Sequence, residues 1–348
     1  MADSHMEWMP EVVGAPTGDF PAVFGFQGMG DPASAGREVQ ELLEVELNRA
    51  GAVLIRGLPV HSPADFSAFM TATNMTLNEY IGGVTSRPEA APMVTPASTE
   101  PGTVSMEPHT DDPHWTVPPT KLAFYCKQPP AEGGQALLAD GRKVLSLLRE
   151  RHPEVLAELE RRGGVRYEHF YPDQNVNDAT VITSWQTSFA PDCTLATGCD
   201  AKAEAERLLK AGGFGFEWTK EGLKKWEVRP AVMKHPQTGE DCWMNQIAAM
   251  HCSVFDNHPE FPAFHRPPAE RGPCEMHGVM PYHTAFGDGT SFTPEVMKAV
   301  RQAQWESAVS FEYQAGDVMV LDNYLAQHGR WSFEGSREFF LVMVGGML

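Results

Sequence analysis

The 13 histidines and 46 acidic residues are the most chemically suggestive part of this 348-residue chain. A histidine and a carboxylate two positions apart project from the same side of a strand. Completed by a second histidine from a distant strand, such a pair holds one face of a metal and leaves the other positions open, as in iron(II) oxygenases. Composition alone gives roughly two His-x-acid pairs by chance, and four occur: His5/Glu7, His109/Asp111, His152/Glu154 and His258/Glu260. The first lies in an N-terminal tail, the third between two helical stretches and the fourth in a Pro-rich loop. Only His109 and Asp111 precede a strand-like segment and follow a long Gly/Pro loop of the kind that rims a site.

The second histidine is His328, in LDNYLAQHGR, directly after the apolar run VMVL. Nine residues on, Arg337 opens the strand-like REFFLVMV. A guanidinium facing the same pocket grips a carboxylate with two parallel hydrogen bonds. Iron(II) on His109, Asp111 and His328, beside Arg337, suits a 2-oxo acid that chelates the metal. Arg330 is the rival anchor and reads better as orienting the loop or touching substrate. Asp322-Asn323 reads as a turn brace, because such side chains bond to nearby backbone. His114 and His251 are spare histidines, read as structural before ligating. GxGxxG, Walker A, GxSxG and HExxH motifs are absent, which weakens dehydrogenase, P-loop, serine-hydrolase and zincin readings.

The chain resembles the taurine-dioxygenase/clavaminate-synthase-like family of Fe(II)/2-oxoglutarate oxygenases. The resemblance rests on PHTDD at 108–112, PTKLAFYCKQPPAEGG at 119–134, ADGRKV at 139–144 and SWQTSF at 184–189. It continues through RPAVMKHPQTGEDCWMNQ at 229–246, FGDG at 286–289 and GDVMVLDNYLAQHGRWSFEGSR at 316–337. It implies a double-stranded β-helix, or jelly roll, mainly β with helical insertions. It also implies that His109, Asp111 and His328 bind iron and that Arg337 binds the distal carboxylate of 2-oxoglutarate, with O2 as oxidant. Family members often read GGxT where this chain has Gly133-Gly134-Gln135-Ala136. Ala136 has no hydroxyl, and a lost hydrogen bond to a charged group is worth about 1.5–3 kcal/mol. Gln135, a backbone N–H or water then has to substitute. Trp185, Gln186, Asn245, Gln246 and His251 are the pocket candidates. Retention of Asp111 disfavours halogenation. The expected reaction is oxidation, by default hydroxylation, of an unactivated C–H bond of a small amino-acid-like or carboxylated metabolite. The alternatives are an iron oxidase or cyclase without 2-oxoglutarate, a non-oxidative metal enzyme on the same barrel, and a catalytically silent binding module.

The elements that must position these residues are partly readable. Val39, Leu42, Leu43 and Leu47 give one helical face over 37–50, stopped by Gly51 before the strand-like AVLIRGL. Ser62-Pro63-Ala64-Asp65 is a helix start. Residues 81–108 read as one long loop and a candidate lid. Strand-like segments fall at 120–126, 228–234, 241–247 and near the C-terminus, with a hairpin around HPQTGE. Helices fall near 141–151, 153–162, 201–211 and 294–306. The expected organisation is a tail over 1–20, whose Ser4-His5-Met6 reads as a cloning remnant, then one domain over 21–348 with a helical insertion about 141–225.

Composition sets the outer bounds. The net charge of −19 disfavours nucleic acid and anionic membrane surfaces. Apolar residues at 42% and charged residues at 21% are ordinary for a globular protein. No apolar run reaches the ~20 residues of a membrane span. The N-terminus lacks the pattern of a secretory signal. The six cysteines form no CxxC pair and read as reduced thiols of a cytoplasmic protein. A small-molecule substrate is the expected partner, and a homo-oligomer is compatible with all of this.

Overall fold

A computed structural model describes residues 8–10, 12–78, 88–98, 100–173, 183–193, 198–276 and 278–346. Two antiparallel-rich sheets stack face to face. The larger has seven strands: β1 (Ala22–Gly25), β2 (Ala52–Arg56), β3 (Leu77–Asn78), β4 (Thr95–Pro96), β6 (Lys121–Gln128), β16 (Val318–Asp322) and β19 (Glu338–Val344). Its order is β1-β2-β16-β6-β19-β3, with β4 also on β19. The smaller sheet has β5 (Met106–His109), β8 (Ala136–Asp140), β15 (Ala308–Phe311) and β17 (Ala326–Arg330), in the order β15-β8-β17-β5. Two short antiparallel pairs join β7 (Glu132–Gly133) to β18 (Phe333–Glu334), and β12 (Met233–Lys234) to β13 (Asp241–Cys242).

Alternation along these strands divides the apolar side chains between layers. Leu54, Leu122, Phe124, Met319, Leu321, Leu341 and Met343 face the small sheet, where Leu138 and Ala326 meet them. Val53, Ile55, Ala123, Val318, Val320 and Val342 point the other way, onto helices. Those helices are α1 (Pro32–Glu38), α2 (Gln40–Ala50) and α3 (Pro63–Ala72). The single helix expected over 37–50 is two, broken at Val39, with Leu43 and Leu47 buried as expected and Gly51 closing α2 at φ 78°. Ser62 caps α3: its hydroxyl accepts the Asp65 N–H at 3.1 Å, while the Asp65 carboxylate accepts the His61 N–H. A cap of this kind is worth about 1 kcal/mol.

The far side of the small sheet carries Leu137 and Ala139. They pack on α4 (Gly141–Arg151), α5 (Pro153–Arg161) and α8 (Pro294–Glu306). Beyond lies a third sheet, ordered β10-β11-β9-β14, from β9 (Val165–Pro172), β10 (Gly215–Trp218), β11 (Gly222–Arg229) and β14 (Tyr282–Phe286). It packs with α6 (Trp185–Phe189) and α7 (Ala201–Ala211).

Several expectations need correcting. The segment 141–225 is not purely helical, because β9, β10 and the start of β11 lie within it. The hairpin around HPQTGE is real but short, pairing only Met233 with Cys242 and Lys234 with Asp241. The run 228–234 is split because Arg229 ends β11 and Pro230, which lacks an N–H, cannot continue a ladder. The 81–108 loop contains β4 and most of β5; residues 81–87 and 99, and with them much of the candidate lid, lie outside the described residues. The tail is not wholly free: Met9 is buried, Trp8 packs beside it and Gly14 bridges Val309. Residues 1–7 lie outside the described residues. Four cysteines are paired, Cys193 with Cys199 and Cys252 with Cys274, which corrects the expectation of six thiols; Cys126 and Cys242 are free and buried. Among the described residues, no helix is long and apolar enough to cross a membrane.

Candidate metal centre

His109 is the last residue of β5 and His328 the middle of β17, and the two are register partners across that antiparallel pair. From His328 to Arg330 is two steps on β17, while the matching interval on β5, His109 to Met106, is three. The extra residue is a bulge, and Pro108, with no N–H to donate, sits inside it. Gly329 faces the bulge. Any side chain there would run into the Met106 carbonyl and the Glu107 backbone. The two imidazoles thus approach with ring centroids 4.4 Å apart, and Phe124 from the large sheet stands 4.9 Å from His328.

Asp111 lies in the turn after β5, and its carboxylate Oδ1 is 3.6 Å from His109 Nε2 and 3.9 Å from His328 Nε2. One donor atom from each residue falls within 4.8 Å of the others. Cis ligands on an iron-sized cation stand ~3 Å apart, so closing on the ion needs movements of under ~1 Å. Two imidazoles and one carboxylate match the donor set of a mononuclear iron(II) site.

The surroundings hold this arrangement. The Glu107 carbonyl lies 2.8 Å from His109 Nδ1. A carbonyl only accepts, so Nδ1 carries the proton and Nε2 turns its lone pair to Asp111. Asn323, fully buried, clamps the Asp111 backbone: its Oδ1 accepts the Asp111 N–H at 2.9 Å, and its Nδ2 donates to the Asp111 carbonyl at 2.8 Å and the Pro119 carbonyl at 2.9 Å. Asp322 accepts the N–H groups of Tyr324 and Leu325 and meets His235 at 3.2 Å. Thr110 donates to the Asn245 carbonyl.

Helix α8 braces β5 from behind. Arg301 donates to both carboxylate oxygens of Glu107, at 3.2 and 3.1 Å, and to Ser253 Oγ at 2.9 Å. Its guanidinium lies over the Trp8 ring at 3.9 Å, and Trp8 Nε1 donates to the same carboxylate. One turn on, Gln304 donates to the Pro108 carbonyl and to Gln327 Oε1. Sequence reasoning missed Glu107, Arg301, Gln304 and Gln327. Their signal is polar residues inside an apolar stripe: Arg301 and Gln304 share the buried face of α8 with Met297, Val300 and Trp305.

A cleft opens beside the three donors, lined also by Ser98, Ala136, Tyr313, Arg330, Arg337 and Phe339. Arg337 stacks on Phe339 at 3.7 Å, and its Nε has no hydrogen-bond partner among the described residues. No described carboxylate pairs with it. Burial pushes its guanidinium down to about 10, against the opposing influence of Tyr313 and Cys126. Burial first, then Arg337, brings Arg330 down to about 10 as well. Both stay charged at neutral pH, so the cleft offers two cations besides the Asp111 carboxylate. Arg330 spends its terminal nitrogens on the carbonyls of Val104, Glu100 and Pro101, tying the preceding loop to β17.

The remaining residues singled out from the sequence scatter. Gln135 stands outside the cleft lining and its carbonyl accepts the Trp331 N–H. Trp185 packs edge-on to Trp218 under α7, and Gln186 donates to Asp173. Asn245 is buried, donating to the Ala231 carbonyl and accepting the Ile247 N–H. The Gln246 N–H donates to the Tyr167 hydroxyl. His251 lies in a different cluster, with Cys252 and His283. His114 is buried 5.0 Å from His169, ring to ring.

Known proteins give an independent view of the chain as a whole. Residues 16–344 match the model of a family described as taurine catabolism dioxygenase TauD, TfdA family. The dapdiamide synthesis protein DdaC of Enterobacter agglomerans is 28% identical over 299 residues, covering 86% of this chain and 83% of that protein. A clavaminate synthase-like protein of Arabidopsis thaliana is 25% identical over 297 residues, covering 85% and 82%. Among solved structures, PvcB of Pseudomonas aeruginosa superposes with a TM-score of 0.50 at 13% identity, covering 98% of this chain and 94% of that one, a likeness of fold alone.

Proposed function

The chain belongs to the taurine catabolism dioxygenase TauD, TfdA family, and from that premise we propose that it is an Fe(II)- and 2-oxoglutarate-dependent oxygenase of a small metabolite. The observation that carries the reading is the convergence of His109, Asp111 and His328 in a cleft that also holds the uncompensated Arg337. On this reading the two facing sheets are the halves of a double-stranded β-helix, and residues 21–348 work as one catalytic domain.

His109, Asp111 and His328 would hold the iron, and Arg337 would grip the far carboxylate of 2-oxoglutarate. Bound together, metal and cosubstrate supply the oxidising power for an unactivated C–H bond, with hydroxylation as the default outcome. The chain's own work is positioning. Glu107 fixes the tautomer of His109 through its carbonyl, and Asn323 fixes the backbone of Asp111. Arg330 keeps the cleft wall in place through three carbonyls. Phe124 and Phe339 present apolar surface that excludes water and strengthens every charge interaction inside.

For the substrate we propose an amino-acid-like or carboxylated small molecule. The support is a buried polar face on the third sheet. His114 Nδ1, both ring nitrogens of His169 and both carboxylate oxygens of Glu227 have no hydrogen-bond partner among the described residues. Glu227 Oε2 is 3.1 Å from Lys225 Nζ, and its Oε1 is 3.9 Å from His169 Nδ1. Orphaned buried groups are costly, and a charged or polar ligand would satisfy them. His114 follows Asp111 by three residues, so one residue of this face sits on the loop that carries Asp111.

The test is a succinate-release screen with Fe(II), 2-oxoglutarate and O2 across a panel of amino acids and small acids. Succinate coupled one-to-one to substrate loss supports the proposal. Substrate turnover without succinate, or turnover without O2, overturns it. Ala136, which lines the cleft with no hydroxyl to offer, is the feature that favours the alternative of an iron enzyme without 2-oxoglutarate, and the same assay separates the two.

A further inference from the structure

Among the described residues, 243–281 contain no α-helix and no strand, only the 3₁₀ turns Cys252–Asn257, Pro262–Phe264 and Pro268–Glu270. Cys252, Phe255, Phe264, Cys274 and Met280 form a small apolar cluster of their own. A lobe this small gains little from apolar burial and depends on a cross-link. The structure supplies one in the Cys252–Cys274 disulfide. Two histidines crowd the same spot. One donor atom each from His251, Cys252 and His283 lies within 4.8 Å of the others. All four side chains are no more than 3% exposed.

The histidines have the character of ligands awaiting a cation. His251 Nδ1 is taken by Ser253 Oγ at 2.8 Å, whereas its Nε2 is buried with no hydrogen-bond partner. Ser253 is fixed in turn by Arg301, 2.9 Å away. His283 has only a long contact, 3.4 Å, from the Cys252 N–H to its Nδ1. The surrounding cations are each matched by a carboxylate: Arg266 by Asp256, Arg301 by Glu107, and Lys224 and Arg166 by Glu168. Their charge therefore does not bar a cation, and two thiolates would neutralise a divalent one.

We propose that, with the disulfide reduced, His251, Cys252, Cys274 and His283 bind one tetrahedral divalent cation of the zinc class, separate from the His109 centre. In the first step a thiol reductant gives two electrons and two protons to the disulfide, yielding two cysteine thiols and the oxidised reductant. In the second, the metal displaces both thiol protons and forms two bonds to sulfur and two to imidazole nitrogen. Tetrahedral zinc–ligand bonds of ~2.0–2.3 Å place ligand atoms ~3.3–3.8 Å apart, so His251, Cys252 and His283 close by about 1 Å, and the Cys274 sulfur, outside that group of three, swings in once released from Cys252. The lobe thus has two interchangeable staples, a covalent one and a metal one.

The test uses the full chain reduced anaerobically, with thiol content measured, and titrated with Co²⁺ as a spectroscopic probe. A sulfur-to-cobalt charge-transfer band saturating at one Co²⁺ per chain is expected, and it should vanish on oxidation with diamide and return on reduction. The His109 centre has no sulfur, so the band should persist in His109→Ala, which keeps this result independent of the oxygenase proposal. Zn²⁺ should displace the cobalt, and Cys274→Ser and His283→Ala should each abolish the tetrahedral spectrum. Reduced wild-type chain that shows no such band overturns the proposal, whatever the variants do. A band that survives in Cys274→Ser overturns it as well.

Discussion

His109 and His328 stand opposite one another as register partners of β5 and β17, with imidazole centroids 4.4 Å apart and the Asp111 carboxylate within 3.9 Å of both. Removing any one donor leaves too few protein ligands to hold a cation facially. His109→Ala and His328→Ala should each lose stoichiometric Fe(II) binding in anaerobic titration and lower turnover by at least three orders of magnitude. Retention of metal and activity by both variants would sink the assignment.

Arg337 is the cleft cation with no described carboxylate partner. Arg337→Met removes a charge-assisted interaction worth about 1.5–3 kcal/mol, so KM for 2-oxoglutarate should rise roughly 10–150-fold. KM for the primary substrate should change far less, and Arg337→Lys should recover part of the loss. An equal rise in both KM values would argue against a cosubstrate anchor.

Asn323 makes three hydrogen bonds to backbone groups of Asp111 and Pro119. Asn323→Ala leaves those groups unsatisfied in a buried place, at about 1–3 kcal/mol each. Thermal unfolding should fall by several degrees, and Fe(II) affinity by 10–100-fold, as for other residues that orient ligands. Asn323→Asp cannot donate to the two carbonyls and should show most of the same loss.

Arg301 and Glu107 form a buried ion pair behind β5. Each single change, Arg301→Met or Glu107→Gln, strands a charge or its partner and should cost about 3–5 kcal/mol in urea unfolding. The double variant should be more stable than the sum of the single losses predicts. Strict additivity would show that the pair does not act as a unit.

His169 is buried and pushed down to about 3 by desolvation first and by Lys225 second. The unfolded chain takes up a proton at this residue near pH 6.5, and the folded chain does not. Its contribution to stability is therefore complete above pH 6.5 and falls away as the pH drops toward 3. Unfolding free energy should decline on the order of a few kcal/mol across that window. His169→Phe should flatten the decline, and an unchanged slope would count against this account.

The convergence of the three candidate donors was legible because they obey short-range rules. His109 and Asp111 announce themselves by a two-residue spacing ahead of a strand, and His328 by the apolar run before it. The helices with caps and stripes, α3, α4, α5, α7 and α8, were legible for the same reason. The third sheet was not. β9 is buried on both faces, and β9 and β11 carry Glu168, His169, Lys225 and Glu227 inside, so no apolar alternation marks them. The braces behind β5 were hidden for a different reason. Arg301 and Glu107 lie 194 positions apart, and only the packing of α8 against the small sheet joins them. Cysteine pairing is likewise a property of three-dimensional approach, and the spacing of Cys252 and Cys274 does not disclose it.

The clamp between Asp111 and Asn323 joins positions 212 apart in the chain. The metal centre is a seam where the early and late strands of the fold meet. The third sheet, built from residues 165–286, hangs between the two sides of that seam and contributes no donor to it. The three donors and most of the polar face proposed to meet the substrate therefore lie on separable stretches of sequence. On the substrate proposal, changes in the third sheet and its loops should alter which molecule is admitted while leaving the His109, Asp111 and His328 donors in place.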